Sequence, residues 1–123
     1  MPDAELESLV ESWLTMQEVA DLLEIDVRRV RRLLRDRQLV ALRRRPSAGS
    51  GAELCVPALL VMDGQPLSEL PGTVTLLSDA GYSDEDTLRW LFTPDPSLPG
   101  SPIENLRSGR KTEIRRRAQA LAF

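Results

Sequence analysis

Between Thr15 and Asp36 the apolar positions recur at intervals of three and four, the spacing of a helix that buries one face. Thr15 precedes Val19, Leu22 and Leu23, and Glu18 stands three residues after it. Thr-x-x-Glu ahead of an apolar run is a capping-box pattern, because the hydroxyl and the carboxylate satisfy amides that the first helical turn leaves without partners. A helix from about Met16 to Leu23 is predicted. Glu24 and Ile25 make a short turn, and Asp26 caps a second helix from Val27 to about Asp36, whose Val27, Val30, Leu33 and Leu34 form one buried stripe. Two short helices joined by so tight a turn form a helix-turn-helix. The period then shortens. Leu39 to Arg43 and Glu53 to Val56 have strand character on either side of the Pro-, Ser- and Gly-bearing loop Pro46 to Gly51, so a β-hairpin follows as a wing. Pro57 suits the first position of a further helical turn, ended by Asp63-Gly64.

In the second half, Thr73 to Ala80 and Asp84 to Phe92 read as two short helices separated by Gly81. The loop Thr93 to Pro102 holds four of the nine prolines and is flanked by Trp90, Phe92 and Ile103, a composition expected to be rigid rather than disordered. Ile114, Ala118 and Leu121 place a last helix over about Ser108 to Ala122. The fold class is therefore mostly α with a small β wing: a winged helix-turn-helix followed by a C-terminal helical subdomain. The expected organisation is a flexible acidic N-terminus over 1–12, the winged helix-turn-helix over 13–62, and the helical subdomain over 63–123.

Charge changes this picture from a fold into a candidate activity. The chain carries −3 overall, yet its first 24 residues hold seven acids and no base, and nine arginines lie between Asp26 and Arg45. Residues 46–106 are again acidic and 107–123 basic. Affinity for a polyanion follows the local field rather than the net charge, so the segregation points to double-stranded DNA as partner. An arginine fork matches guanine O6 and N7, and the N-terminal part of a recognition helix lies nearest the base edges, which selects Arg28, Arg29 and Arg32. Arg31, Arg35 and Arg37 are assigned to phosphates, Arg43, Arg44 and Arg45 to phosphates or the minor groove at the wing, and the amides near Thr15 and Met16 to one further phosphate. Like charges at i and i+4, as in Arg28 with Arg32 and Arg31 with Arg35, cost an isolated helix about 0.2–0.5 kcal/mol per pair, a penalty that a bound polyanion relieves.

Other classes are disfavoured. The chain has no histidine and a single cysteine, Cys55, so an internal disulfide, a Cys/His zinc site and a histidine general base are excluded, and Cys55 reads as a buried structural thiol. Asp84, Glu85 and Asp86 read as helix-start acids that complement the macrodipole. No enzyme activity, metal or cofactor is expected. No window approaches the ~20 apolar residues of a membrane span, the acidic start is unlike a signal peptide, and a cytoplasmic protein is expected. No heptad run follows the wing, so the protein is expected to be a monomer. The alternative is a protein-interaction adaptor, in which Arg110, Lys111 and Arg115 to Arg117 bind an acidic partner and the winged fold is a scaffold.

Trp13-Leu14-Thr15, Glu18-Val19-Ala20, Leu22-Leu23 and Val27-Arg28-Arg29-Val30 resemble the winged helix-turn-helix of excisionase and of MerR-type regulators. Those families usually carry a Gly-Val-Ser type turn, where this chain has Glu24-Ile25-Asp26. The chain as a whole is similar to a family of small mycobacterial and actinobacterial winged helix-turn-helix DNA-binding proteins that are substrates of a membrane Ser/Thr kinase. Leu70-Pro71-Gly72-Thr73, Gly81-Tyr82, Trp90-Leu91-Phe92, Leu98-Pro99-Gly100 and the stretch Arg116 to Phe123 carry that likeness. It implies DNA binding without catalysis, a role as transcriptional regulator, and phosphorylation near the N-terminus. No threonine precedes Thr15, so Ser8 and Ser12 are the early acceptors. An acidic arm bearing Glu5, Glu7 and Glu11 would compete with DNA for the arginines, and a phosphoryl group would strengthen that competition. Trp90-Leu91, the proline-rich loop and Pro102 to Leu106 also resemble the partner-binding domain of some bacterial antitoxins, which is the basis of the adaptor alternative.

Overall fold

The structure is a computed structural model and describes residues 6, 8–44 and 51–121. Three strands form an antiparallel sheet in the order β1-β3-β2: β1 (Trp13–Thr15), β2 (Leu42–Arg44) and β3 (Glu53–Pro57). Between β1 and β2 lie α1 (Met16–Leu23) and α2 (Val27–Arg35), the two expected helices. Strand β1 was not legible as such. Three residues show too little alternation, and pairing of Leu14 with Val56 across the sheet is what makes it a strand. The capping box forms as the sequence requires, with the Glu18 amide donating to Thr15 Oγ1 at 3.1 Å and the Thr15 amide to Glu18 Oε1 at 2.8 Å. Asp26 Oδ1 likewise accepts from the Arg29 amide at 2.8 Å and starts α2. The arrangement is a winged helix-turn-helix.

A 3-10 turn (Ala58–Leu60) follows the wing, as Pro57 suggests, but Asp63-Gly64 forms the tip of a small hairpin, β4 (Val61–Met62) with β5 (Gln65–Pro66), rather than ending a helix. Asp63 at φ 55° and Gly64 at φ 73° give the left-handed pair that a two-residue hairpin needs. Helix α3 (Leu70–Asp79) starts three residues before the expected Thr73, with Pro71 in its first turn, and α4 (Asp84–Phe92) matches its expected bounds. A helix not expected from the sequence, α5 (Pro102–Arg107), precedes the last one, α6 (Lys111–Leu121), which lies within its expected bounds of about 108–122; Gly109, whose φ is 91°, divides the two. A second capping box, Ser101 with Glu104, begins α5. Its Ser-x-x-Glu signature stood in the sequence and was masked by the surrounding prolines.

One hydrophobic core runs through both halves. Val19, Val30, Leu39, Val56 and Leu60 pack in one cluster with Leu70, Val74, Leu88, Leu91, Ile103 and Ile114. Leu6 and Val10 belong to the same cluster, and the Val10 amide donates to the Leu6 carbonyl at 2.8 Å. The expectation of a flexible arm over 1–12 is therefore corrected for its described part, because two apolar residues spaced for one helical turn are anchored inside. Arg107 ties the halves together: its Nη1 donates to the carbonyls of Leu59 at 2.8 Å and Val61 at 2.9 Å.

Four helices close with the same motif, in which the chain turns into a left-handed residue and two amides reach back to the last carbonyls. Gly81 and Gly109 supply that residue for α3 and α5, at no steric cost. For α1 and α2 it is Glu24, at φ 57°, and Arg37, at φ 61°. Glu24 thus occupies a left-handed place that glycine most often fills.

Candidate nucleic-acid interface

Helix α2 presents its chemistry by simple geometry. Val30 is fully buried, Val27, Leu33 and Leu34 pack partly against the core, and the intervening Arg28, Arg29, Arg31, Arg32 and Arg35 are all exposed. None of these five takes part in an ion pair among the described residues. The ridge is convex, cationic and open. Arg32 and Arg35 also lie in the last turn, where they complement the helix dipole.

The other expected contacts are placed differently. Arg37 is exposed, with its Nη1 4.0 Å from Asp79 Oδ1 on α3; with both partners in solvent, this is a loose pair of small energetic weight. Arg43 points outward on β2. Arg44 is half-buried, its guanidinium stacked 4.2 Å from the centre of the Trp13 ring. Strand β3 separates the two, so the arginine stem crosses the sheet face to reach the indole. A cation over an indole face is stabilised by about 0.5–2 kcal/mol. Trp13 was not among the DNA-contact residues expected from sequence, and only the sheet brings it to Arg44. Arg45 and the wing tip, 45–50, lie outside the described residues.

Thr15 is used by the fold. Its hydroxyl and amide are both engaged by Glu18, which sets a carboxylate where a phosphate was expected to sit. Cys55 is buried, and burial first, then the neighbouring Glu53, pushes its thiol above the usual range. Ser8 and Ser12 are exposed, and the Ser12 carbonyl accepts from the Ala58 amide at 2.9 Å. Glu5 and Glu7 lie outside the described residues; Glu11 is exposed and forms no ion pair with α2 among them. Of the C-terminal basic residues, Arg110, Arg115 and Arg116 are exposed, and the Lys111 side chain lies outside what the structure describes. Arg117 is held internally by Asp95 at 3.3 Å, Glu113 at 3.1 Å and Ser97 Oγ at 2.8 Å. Among the described residues no cluster of acids, cysteine or histidine is suited to a metal, and no helix is long and apolar enough to cross a membrane.

Comparison with known proteins agrees with this architecture. Residues 4–61 match the family described as DNA-binding protein Rv2175c, wHTH domain, and residues 67–122 match the Rv2175c C-terminal domain of unknown function. The DNA-binding protein Rv2175c of Mycobacterium tuberculosis (strain ATCC 25618 / H37Rv) is 39% identical over 117 residues, an alignment covering 85% of this chain and 77% of that protein. The NMR structure of Rv2175c is similar with a TM-score of 0.79 at 37% identity, covering 91% of this chain and 82% of that one.

Proposed function

The chain belongs to the Rv2175c family of winged helix-turn-helix DNA-binding proteins, and from that premise we propose that α2 enters the major groove of duplex DNA in a transcriptional regulator that acts without catalysis. The observation that carries this reading is the open arginine ridge, five guanidinium groups in solvent with no carboxylate partner among the described residues. Arg28, Arg29 and Arg32 meet base edges, and Arg31, Arg35 and Arg43 meet phosphates. Arg44 acts through its stack on Trp13, which fixes the base of the wing against the sheet. The protein binds as a monomer in the cytoplasm.

Titration of one duplex at several salt concentrations tests the reading. Each neutralised phosphate contributes a slope of about −0.9 to log K against log salt, so contact through several arginines predicts a slope of roughly −3 to −5. A duplex affinity that is absent or indifferent to salt overturns it.

We also read Ser8 and Ser12, both exposed, as acceptors for a Ser/Thr kinase. A phosphoryl group adds about −1.5 to −2 charges beside Glu11 and weakens DNA binding. Deleting residues 1–12 is a poor test, because it removes Leu6 and Val10 from the core. Ser12→Glu is the better one, expected to lower duplex affinity; unchanged affinity at low salt removes the switch.

A further inference from the structure

A cleft of about 640 Å³ opens to solvent between α4 and the loop that leads to α5, and no residue of α2 lines it. Its apolar walls are Tyr82, Trp90, Pro94, Pro96 and Pro102, and Asp86, Arg89 and Asp95 stand among them. Tyr82 and Trp90 are half-buried and both line the cleft. Asp84, Glu85, Asp86, Asp95 and Glu113 stand against two arginines, Arg89 and Arg117, so the rim keeps an acidic excess, and the side chains of Asp86 and Asp95 keep 52% and 40% exposure beside their arginine partners.

We propose that this cleft docks a proline-rich, arginine-bearing segment of a partner protein. Flat aromatic walls suit pyrrolidine rings, and an extended proline-rich chain gives up little entropy on binding. The acidic rim selects a cationic flank and repels phosphate, which separates this surface from the DNA-binding one. The cleft is also preorganised. The Asp95 amide donates to the Gly100 carbonyl at 3.1 Å, Ser97 donates to Asp95 Oδ1 through its amide at 2.8 Å and its hydroxyl at 2.7 Å, and Asn105 Nδ2 donates to the Ser101 carbonyl at 2.8 Å. A proline-rich loop held this way loses little freedom when a ligand arrives.

The test is an NMR titration of the full chain with three synthetic peptides: a Pro-x-x-Pro decapeptide flanked by arginines, the same peptide with glutamates in place of arginines, and a version with alanines in place of prolines. Saturable shifts at residues 80–82, 86–96 and the Trp90 indole are expected with the first, with affinity at least about tenfold above either control, since a lost charge or anchor is worth 1.4 kcal/mol or more. Tyr82→Ala and Asp86→Asn are expected to reduce that affinity by a similar factor while duplex binding stays unchanged. No shift, equal binding of the glutamate peptide, shifts centred elsewhere, or concentration-dependent self-association in place of peptide binding overturns the proposal. Because the peptide controls act on the unaltered chain, the result stands even if a variant misfolds.

Discussion

On α2, Arg28, Arg29, Arg31, Arg32 and Arg35 stand in solvent, whereas Arg89, Arg107 and Arg117 of the C-terminal half are bound to the molecule itself. Arg89 reaches Glu85 at 3.3 Å and Asp86 at 2.9 Å on its own helix, and Arg107 and Arg117 bridge segments far apart in the chain. One residue type therefore serves as surface field on α2 and as fastening at Arg89, Arg107 and Arg117. Position within the apolar pattern decides which. On α2 the arginines alternate with a buried stripe and meet only solvent, and Asp26 at the helix start is engaged as its cap. In the C-terminal half, acids and backbone carbonyls face Arg89, Arg107 and Arg117 across short gaps, while Arg110, Arg115 and Arg116 stay exposed.

The sharpest way to break this contrast is the double variant Arg28→Ala/Arg32→Ala. Each base-edge arginine is worth about 1–3 kcal/mol, so duplex affinity measured by anisotropy should fall by roughly 2–6 kcal/mol, with the thermal midpoint almost unmoved. If Arg117→Ala costs as much DNA affinity, the division into two populations is wrong. Next in size is Arg107→Ala, which removes two charge-assisted hydrogen bonds to backbone carbonyls and should cost roughly 1.5–3 kcal/mol in chemical denaturation. The shared core predicts that unfolding stays a single transition. Two transitions would mean that the halves are coupled more weakly than Arg107 and the core imply.

Acid sharpens the comparison further. Hydrogen bonds from the Ser97 hydroxyl, then from its amide, with Arg117 nearby, hold the Asp95 carboxyl below its ordinary 3.8. A depressed value in the folded state stabilises the protein above the unfolded value and loses that contribution as pH falls through the folded one. Ser97→Ala should therefore lower the thermal midpoint at neutral pH, and the variant and parent profiles should converge below about pH 3.8. Parallel profiles down to pH 2.5 would sink this account. The smallest effects concern the helix ends. At Glu24 a left-handed backbone costs about 1–2 kcal/mol and glycine loses about 0.5–1 kcal/mol of that through its unfolded freedom, so Glu24→Gly should stabilise by roughly 0.5 kcal/mol. Gly81→Ala, where space is open but φ is 95°, should destabilise by about 1 kcal/mol; calorimetry showing the opposite signs would overturn the comparison.

The helix-turn-helix was legible because its signals are local. Thr15 with Glu18, Asp26 ahead of Val27, and the stripe Val27, Val30, Leu33 and Leu34 act over three or four residues, and both helices form where those signals place them. The same locality identified α4 through its leading acids Asp84, Glu85 and Asp86, and the structure adds Ser83 as its cap. Reading failed where neighbours in space are distant in sequence, or where punctuation was ambiguous. Leu6 and Val10 looked like part of a charged arm because acids surround them, and Asp63-Gly64 looked like a helix end until β4 and β5 paired around it.

What the amino acids determined alone is the periodicity and the caps, and with them a cationic ridge on α2, since side chains one turn apart must share a face. What only the tertiary structure decided is the fate of other charges: Arg44 on Trp13 across a strand, Arg107 on carbonyls 46 and 48 residues away, and Arg117 on Asp95. Those contacts depend on how distant segments pack about one sheet and one core, and short-range propensity carries no information about a partner that far along the chain.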